Sequence, residues 1–221
     1  IFIKPNYMEV HLRQEVLKRS FVPAWHLGMM NDNYRNSCYL KAIKQFVTNT
    51  DTVLDIGTGS GLLAMMAADQ TAKNVTTCEV QPLIAEAAKA VILENGYRGK
   101  INVLTKSSKD IEIGRDIPES PSVVVSEIMS SELVGEGVAS TLRDVKHRLL
   151  KKNGRLIPES GKIIISLLGE NKEIVHKCQV DVVEGYDLSS FNNITQNKFV
   201  IPLQETPVLL SDPVVPFNFD F

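Results

Sequence analysis

Cysteine is scarce in this chain of 221 residues: Cys38, Cys78 and Cys178 are odd in number and far apart. No C-x-x-C pair exists, which argues against a disulfide framework or a cysteine zinc site and leads us to expect no metal. A reducing compartment, the cytoplasm or nucleus, fits that usage best. Long apolar runs are lacking too. Stretches such as Leu62 to Ala68 fall well below the ~18 residues that span a bilayer, and no signal peptide is visible. Neither sign of charge dominates, since 24 Lys+Arg against 26 Asp+Glu leave −2. That balance speaks against nucleic acid as the main partner and against an acidic disordered tail. Repeats and low-complexity segments are absent.

What is present is enough for a real core. Apolar residues make up 43% of the chain, and its length lies between one domain and two. It starts Ile1-Phe2-Ile3 and stops on the alternating Phe217-Asn218-Phe219-Asp220-Phe221, so we expect a piece of something longer.

Helices are expected over Glu9–Arg19 and Tyr34–Val47, interrupted near Pro23 and Asn31–Asn33. Strands at Thr52–Ile56, Val75–Val80, Ile101–Thr105, Ser122–Ser126 and Arg155–Ile157 then alternate with helices at Leu62–Ala68, Pro82–Glu94 and Val138–Lys152. Continuous Val/Ile/Leu strands separated by helices predict an α/β fold, a parallel sheet covered on both faces. After Pro158 the pattern changes. Lys162–Leu168, Val180–Val183, Lys198–Ile201 and Pro207–Leu210 read as antiparallel strands with no crossover helix between them.

Between the first strand and its helix stands Gly57-Thr58-Gly59-Ser60-Gly61. Strand, glycine loop and helix together place backbone N–H groups where an anionic or carboxylate-bearing cofactor can sit, at the carboxyl edge of the sheet. The dinucleotide fingerprint G-x-G-x-x-G is not met, because the third glycine comes one residue early. A tighter loop suits S-adenosyl-L-methionine (SAM), and a dehydrogenase fits poorly. Glu79 closes the second strand where an acid can bind both ribose hydroxyls, and Asp55 precedes the loop where it can meet the amino group of the methionine moiety. The plainer alternative is a tight turn with a solvated strand end.

Directly after the fourth strand, Glu127 and Glu136 lie nine residues apart on a loop at the same edge. Two converging carboxylates suit a guanidinium, whose planar fork of donors they match and which stays charged at ordinary pH. Alternatively the loop is simply solvated, with Glu136 facing a helix N-terminus. Glu132, between the pair, reads as a loop or substrate-recruiting acid.

Taken together, these segments resemble the protein arginine methyltransferases. Ser126-Glu127, eight residues and Glu136 are similar to that family's double-glutamate loop, Val53–Gly61 to its first SAM motif, and Thr77-Cys78-Glu79-Val80 to its ribose-binding strand. Leu149–Pro158 resembles the segment leading into its β-barrel, and His26–Asn36 its cofactor-covering helix. The resemblance covers most of residues 20–160 and looks closest to the divergent members numbered seven and nine, partly through Met30-Asn31-Asp32, Arg35-Asn36 and Gly135-Glu136-Gly137. It implies a Rossmann-like SAM-dependent methyltransferase sheet followed by the start of an antiparallel β-barrel. The domains would be N-terminal helices over 1–50, the SAM-binding domain over 51–158, and a partial substrate and dimerisation barrel over 159–221. Glu127 and Glu136 would be catalytic. His26, Met30, Arg35, Asp55, Gly57, Gly59, Glu79, Val80, Ser108 and Glu127 would bind the cofactor, Arg35 on its carboxylate. Met29 lies where family members control product methylation by side-chain bulk. Partners would be arginine-containing protein substrates and a second catalytic unit, paired through an arm that residues 170–198 have room for. No membrane and no direct nucleic-acid contact is expected.

The chain also departs from the family. Its tyrosine-rich substrate motif is not evident in Arg13–Ser20, and Lys109 stands where many members place a glutamate at the adenine. The Thr-His-Trp tripeptide that completes the arginine pocket is absent, the only tryptophan being Trp25. Two rival functions therefore stay open: a SAM methyltransferase acting on a small molecule, and a catalytically silent SAM-binding interaction module.

Overall fold

The computed structural model describes residues 22–130, 133, 135–169, 171–195 and 208–221. The helix expected over Glu9–Arg19 and the strand expected over Lys198–Ile201 lie outside them, as does Pro207. The chain clusters into two compact units. One takes in the residues up to Met129 with Glu136–Glu159 and Phe221, the other Ser130–Gly135 with Ser160–Asp220.

In the first unit, β1 (Thr52–Ile56), β2 (Asn74–Glu79), β3 (Ile101–Thr105), β4 (Val123–Ser126) and β5 (Arg155–Ile157) form one sheet. All pairings are parallel and the order is β3-β2-β1-β4-β5. β1 lies at the centre and is buried at every residue, which is why it reads as apolar apart from Thr52 and Asp55. Leaving β1, the chain builds outward on one side and then returns to place β4 on the other. The loops after β1 and β4 therefore part at the carboxyl ends of neighbouring strands and leave a crevice there.

Among the described residues this unit has five helices: α1 (Trp25–Met30), α2 (Asn33–Phe46), α3 (Leu62–Asp69), α4 (Pro82–Glu94) and α5 (Val138–Arg148). Asp32 separates the first two and caps α2 by accepting the Arg35 N–H at 2.9 Å, a contact worth about 1 kcal/mol. Pro82 opens α4, where its missing N–H costs nothing. α2 lays Ile43, and its C-cap residue Val47, into the same cluster as Val53, Val123 and Val125 of the sheet and Leu63, Ala64 and Ala67 of α3. Ile43 is fully buried, so its truncation to alanine would cost about 2–5 kcal/mol and loosen the helix that carries Arg35. Residues 22–50 belong to the same compact unit as the sheet.

The second unit is antiparallel at its core, in keeping with the expected start of a barrel. β6 (Ser160–Ile165) pairs with β9 (Val214–Asp220), Ser160 opposite Asp220, with an irregularity between Ile163 and Ile165. The strand ends three residues before the expected Leu168, which retains a single bridge to Leu209. Between them the expectation of strands alone is corrected: α6 (Lys172–Cys178) is a helix, with Asn171 accepting the Ile174 N–H at 3.2 Å. A small hairpin follows, β7 (Val182–Val183) and β8 (Tyr186–Asp187). Its two turn residues, Glu184 and Gly185, both have positive φ (51° and 84°), as a two-residue turn between twisted strands demands.

Candidate functional site

The loop after β1 is left-handed at Gly57 (φ 78°), Gly59 (52°) and Gly61 (83°). Its amides are tied to β2: Gly57 and Thr58 donate to the Cys78 carbonyl at 3.0 and 3.1 Å, and Gly59 to Glu79 Oε2 at 3.4 Å. A Cβ on Gly57 would stand 2.6 Å from Ile128 Cγ2, so the loop after β4 presses directly on this one. A Cβ on Gly59 would meet nothing within 4 Å. The loop is closed on its β4 side and open at its middle.

Two carboxylates back this loop. Asp55 is fully buried at the end of β1, and Thr77 opposite it donates to Oδ2 at 2.8 Å. Oδ1 is buried without a partner. Burial pushes the Asp55 carboxyl up to about 7, against the pull of Thr77 and Thr58 and with the Glu79 charge adding to it. Glu79 itself turns into the loop, with Oε2 on Gly59 and Oε1 accepting the Gln81 N–H at 2.9 Å.

Across the crevice α2 supplies the opposite charge. The Arg35 guanidinium donates from Nη2 to Glu127 Oε2 at 2.7 Å, and both side chains are largely withdrawn from solvent, 18% and 17% exposed. Its Nη1 donates to Asn36 Oδ1 at 2.8 Å, while Nε is buried with no partner. Tyr39, one turn on, lies under the guanidinium at 5.5 Å and donates its hydroxyl to the Ser126 carbonyl at 2.9 Å. Burial pushes the Tyr39 phenol up, with the Glu127 charge contributing. One face of α2 is therefore fastened to the strand end that carries Glu127.

Met29, Met30, Arg35, Gly59, Leu63 and Glu127 are among the residues that enclose a recess of about 30 Å³. That holds a water molecule or two. The unpaired donors and acceptors fit a zwitterionic ligand: Arg35 Nε a carboxylate, Asp55 Oδ1 an ammonium. Of the expected cofactor residues, Met30, Arg35, Gly57, Gly59 and Glu127 line the recess, and Asp55 and Glu79 back its floor. The rest lie elsewhere. His26 stacks on Trp25 and donates from Nδ1 to the Pro23 carbonyl at 3.0 Å. Val80 is 65% exposed beyond the end of β2. Ser108 is buried in the one-turn helix Ser108–Asp110, its carbonyl held by Arg148 Nη2 at 2.8 Å. Glu136 sits in the turn Gly135–Gly137 that leads into α5. Sequence reading missed Tyr39, although its place four residues after Arg35 puts both on one helix face.

Among the described residues no three His, Cys, Asp or Glu side chains cluster as a metal ion needs, and no helix is long and apolar enough to cross a membrane.

An open parallel sheet with a glycine loop facing an arginine–glutamate pair across the strand-order reversal is the framework of a Rossmann-like methyltransferase. The family model described as ribosomal protein L11 methyltransferase (PrmA) matches residues 36–186. An arginine N(omega)-methyltransferase of Streptomyces achromogenes subsp. streptozoticus is 38% identical over 192 residues, covering 86% of this chain and 53% of that protein. Protein arginine N-methyltransferase 9 of Mus musculus is 34% identical over 210 residues, covering 89% and 24%, and protein arginine N-methyltransferase 7 of Oryza sativa subsp. indica 30% over 217 residues, covering 89% and 30%. The chain belongs to the methyltransferases that the family model describes, and the curated relatives it matches are named as arginine N-methyltransferases. It spans about half of the Streptomyces relative, 53%, and less than a third of the other two, 24% and 30%. In fold it is similar to the Trypanosoma brucei PRMT1 enzyme-prozyme heterotetrameric complex with AdoHcy (TM-score 0.73, 20% identity, 89% of this chain and 62% of that one). Arabidopsis thaliana protein arginine methyltransferase 10 is also similar (TM-score 0.70, 22% identity, 92% and 64%).

Proposed function

We propose that this chain binds S-adenosyl-L-methionine at the glycine loop and transfers its methyl group to a guanidinium nitrogen of arginine in protein substrates, leaving S-adenosyl-L-homocysteine. One observation carries the proposal: Glu127, at the carboxyl end of β4, already engages a guanidinium, that of Arg35, beside the loop. A carboxylate so placed suits a second guanidinium, from substrate, once a cofactor carboxylate engages Arg35 in its stead. Relatives named as arginine methyltransferases support the substrate class, and a fold neighbour described with AdoHcy supports the cofactor.

Bound there, SAM supplies a methyl already activated on a sulfonium, so alignment is the main task left to the protein. Arg35 Nε offers the donor for the cofactor's carboxylate, Asp55 Oδ1 the acceptor for its ammonium, and Glu79 the acid at its ribose. Glu127, with Glu136 from the far end of the same loop, holds the substrate guanidinium and draws its positive charge toward the gripped nitrogens. The remaining nitrogen keeps its lone pair free for attack, and the proton it carries is lost to solvent with or after the transfer. Pairing of two catalytic units and a cytoplasmic or nuclear location complete the reading. The heterotetramer described for the Trypanosoma neighbour supports the first, and the three unpaired cysteines support the second.

A second reading has its own support. The relative that is 38% identical is named for arginine, not for protein arginine, which favours the free amino acid as acceptor. Labelled SAM offered with an arginine peptide and with free arginine separates the two by which acceptor takes the label. Label in neither, with SAM still bound, favours a silent binding module.

A further inference from the structure

Asn36 is engaged at both ends. Its Nδ2 donates to the Met30 carbonyl at 2.8 Å, the last residue of α1, and its Oδ1 accepts from Arg35 Nη1 at 2.8 Å. A carbonyl only accepts and a guanidinium only donates, so the two partners fix which way the amide points. The same side chain thus joins the Met30 wall of the recess to the guanidinium that reaches into it.

Three contacts set the place of that guanidinium: Asn36 on Nη1, Glu127 on Nη2, and the Tyr39 ring beneath. Under the proposed function, on which this inference rests, Glu127 must serve the substrate, so its hold on Arg35 is the one that loading takes away. Asn36 has no such second duty, and its anchor on Met30 is internal to the α1–α2 corner. We propose that Asn36 is a positioning residue, which holds Arg35 at the lining of the recess with its Nε unpaired, so that a carboxylate-bearing nucleoside finds a donor already in place. An arginine side chain has many rotamers to lose, and fixing it before the ligand arrives lowers the entropy cost of binding. Arg35 touches the ligand; Asn36 acts through it. The asparagine amide is suited to the task because it offers one acceptor and one donor at the same reach, which neither leucine nor aspartate does.

The test compares two nucleosides by calorimetry: S-adenosylhomocysteine, and 5′-methylthioadenosine, which lacks the amino-acid end. Asn36→Leu keeps the size and loses both bonds. Asn36→Asp keeps the contact to Nη1, sets a carboxylate oxygen against the Met30 carbonyl, and competes for the guanidinium. Both variants should weaken S-adenosylhomocysteine roughly tenfold and leave methylthioadenosine within about twofold of the unaltered chain, the scale of one hydrogen bond to a charged group. Equal weakening of both nucleosides overturns the proposal, because a merely structural asparagine affects the site as a whole. So does no change in either. If Asn36→Leu does not fold, Asn36→Asp decides alone. Failure of the unaltered chain to bind either nucleoside overturns the cofactor reading itself, and Asn36's role with it.

Discussion

Replacing Glu127 by glutamine separates holding the fold from holding a guanidinium. The side chain keeps its length and still offers Oε1 to Arg35, so the 2.7 Å contact survives as a neutral-acceptor hydrogen bond and only the carboxylate charge is lost. An exposed ion pair is worth about 0–1 kcal/mol, whereas breaking a fully buried one costs about 3–5 kcal/mol. With 18% and 17% of the two side chains exposed and an acceptor retained, we expect a loss of about 1–2 kcal/mol. For a chain of this size that lowers the melting temperature by roughly 2–8 °C, too little to unfold it. The effect on turnover should be far larger. Removing one preorganised electrostatic partner of a reacting group costs about 10²–10³ in kcat. Transfer from labelled SAM to an arginine peptide should fall by at least about a hundredfold, while S-adenosylhomocysteine binds undiminished or tighter because Arg35 no longer faces a full negative charge. Turnover within about tenfold of the unaltered protein would refute the role given to Glu127. Loss of nucleoside binding together with turnover would refute the separation of Arg35's task from Glu127's.

Burial holds Asp55 up at about 7, so the folded state keeps its proton more tightly than the unfolded one. Its contribution to stability is then full below about pH 4 and is lost as pH rises through about 7, by at most about 4 kcal/mol. Urea unfolding at pH 5 and pH 8 should show a smaller difference for Asp55→Asn than for the unaltered chain; identical differences would contradict the assignment. Gly57→Ala forces a Cβ to 2.6 Å from Ile128 at positive φ and should cost more than the roughly 1–2 kcal/mol of left-handed strain alone, read as a drop in melting temperature. Gly59→Ala meets no neighbour, so it should cost only that strain yet weaken S-adenosylhomocysteine sharply by filling the open middle of the loop. Equal stability losses at the two positions would show that the loop is not shaped as described.

Much of the parallel sheet was legible because its signals are local. Strands such as Ile101–Thr105 and Arg155–Ile157, and the Pro82–Glu94 helix, lie where apolar runs, a first-turn proline and glycine stops put them. α6 was missed because Ile174 and Val175 favour strands and the surrounding segment already read as antiparallel; the sign of a helix was Asn171, three residues before the amide it caps. The meeting of Arg35 with Glu127 was not legible at all. The two are 92 residues apart, and only the strand order, which sets β4 beside β1, brings the loop after β4 to the glycine loop and to α2. Ile128 against Gly57 and Tyr39 on Ser126 belong to the same long-range class. Asp55 could be seen in the sequence as an acid before the loop, but not that one of its oxygens is buried without a partner.

The most direct measurement locates the transferred methyl group by atom. The protein is incubated with labelled SAM and a peptide containing both arginine and lysine, and the product is fragmented in a mass spectrometer. A guanidinium held by Glu127 beside the glycine loop predicts label on guanidino nitrogen of arginine and none on lysine. Label on the lysine amine would contradict it.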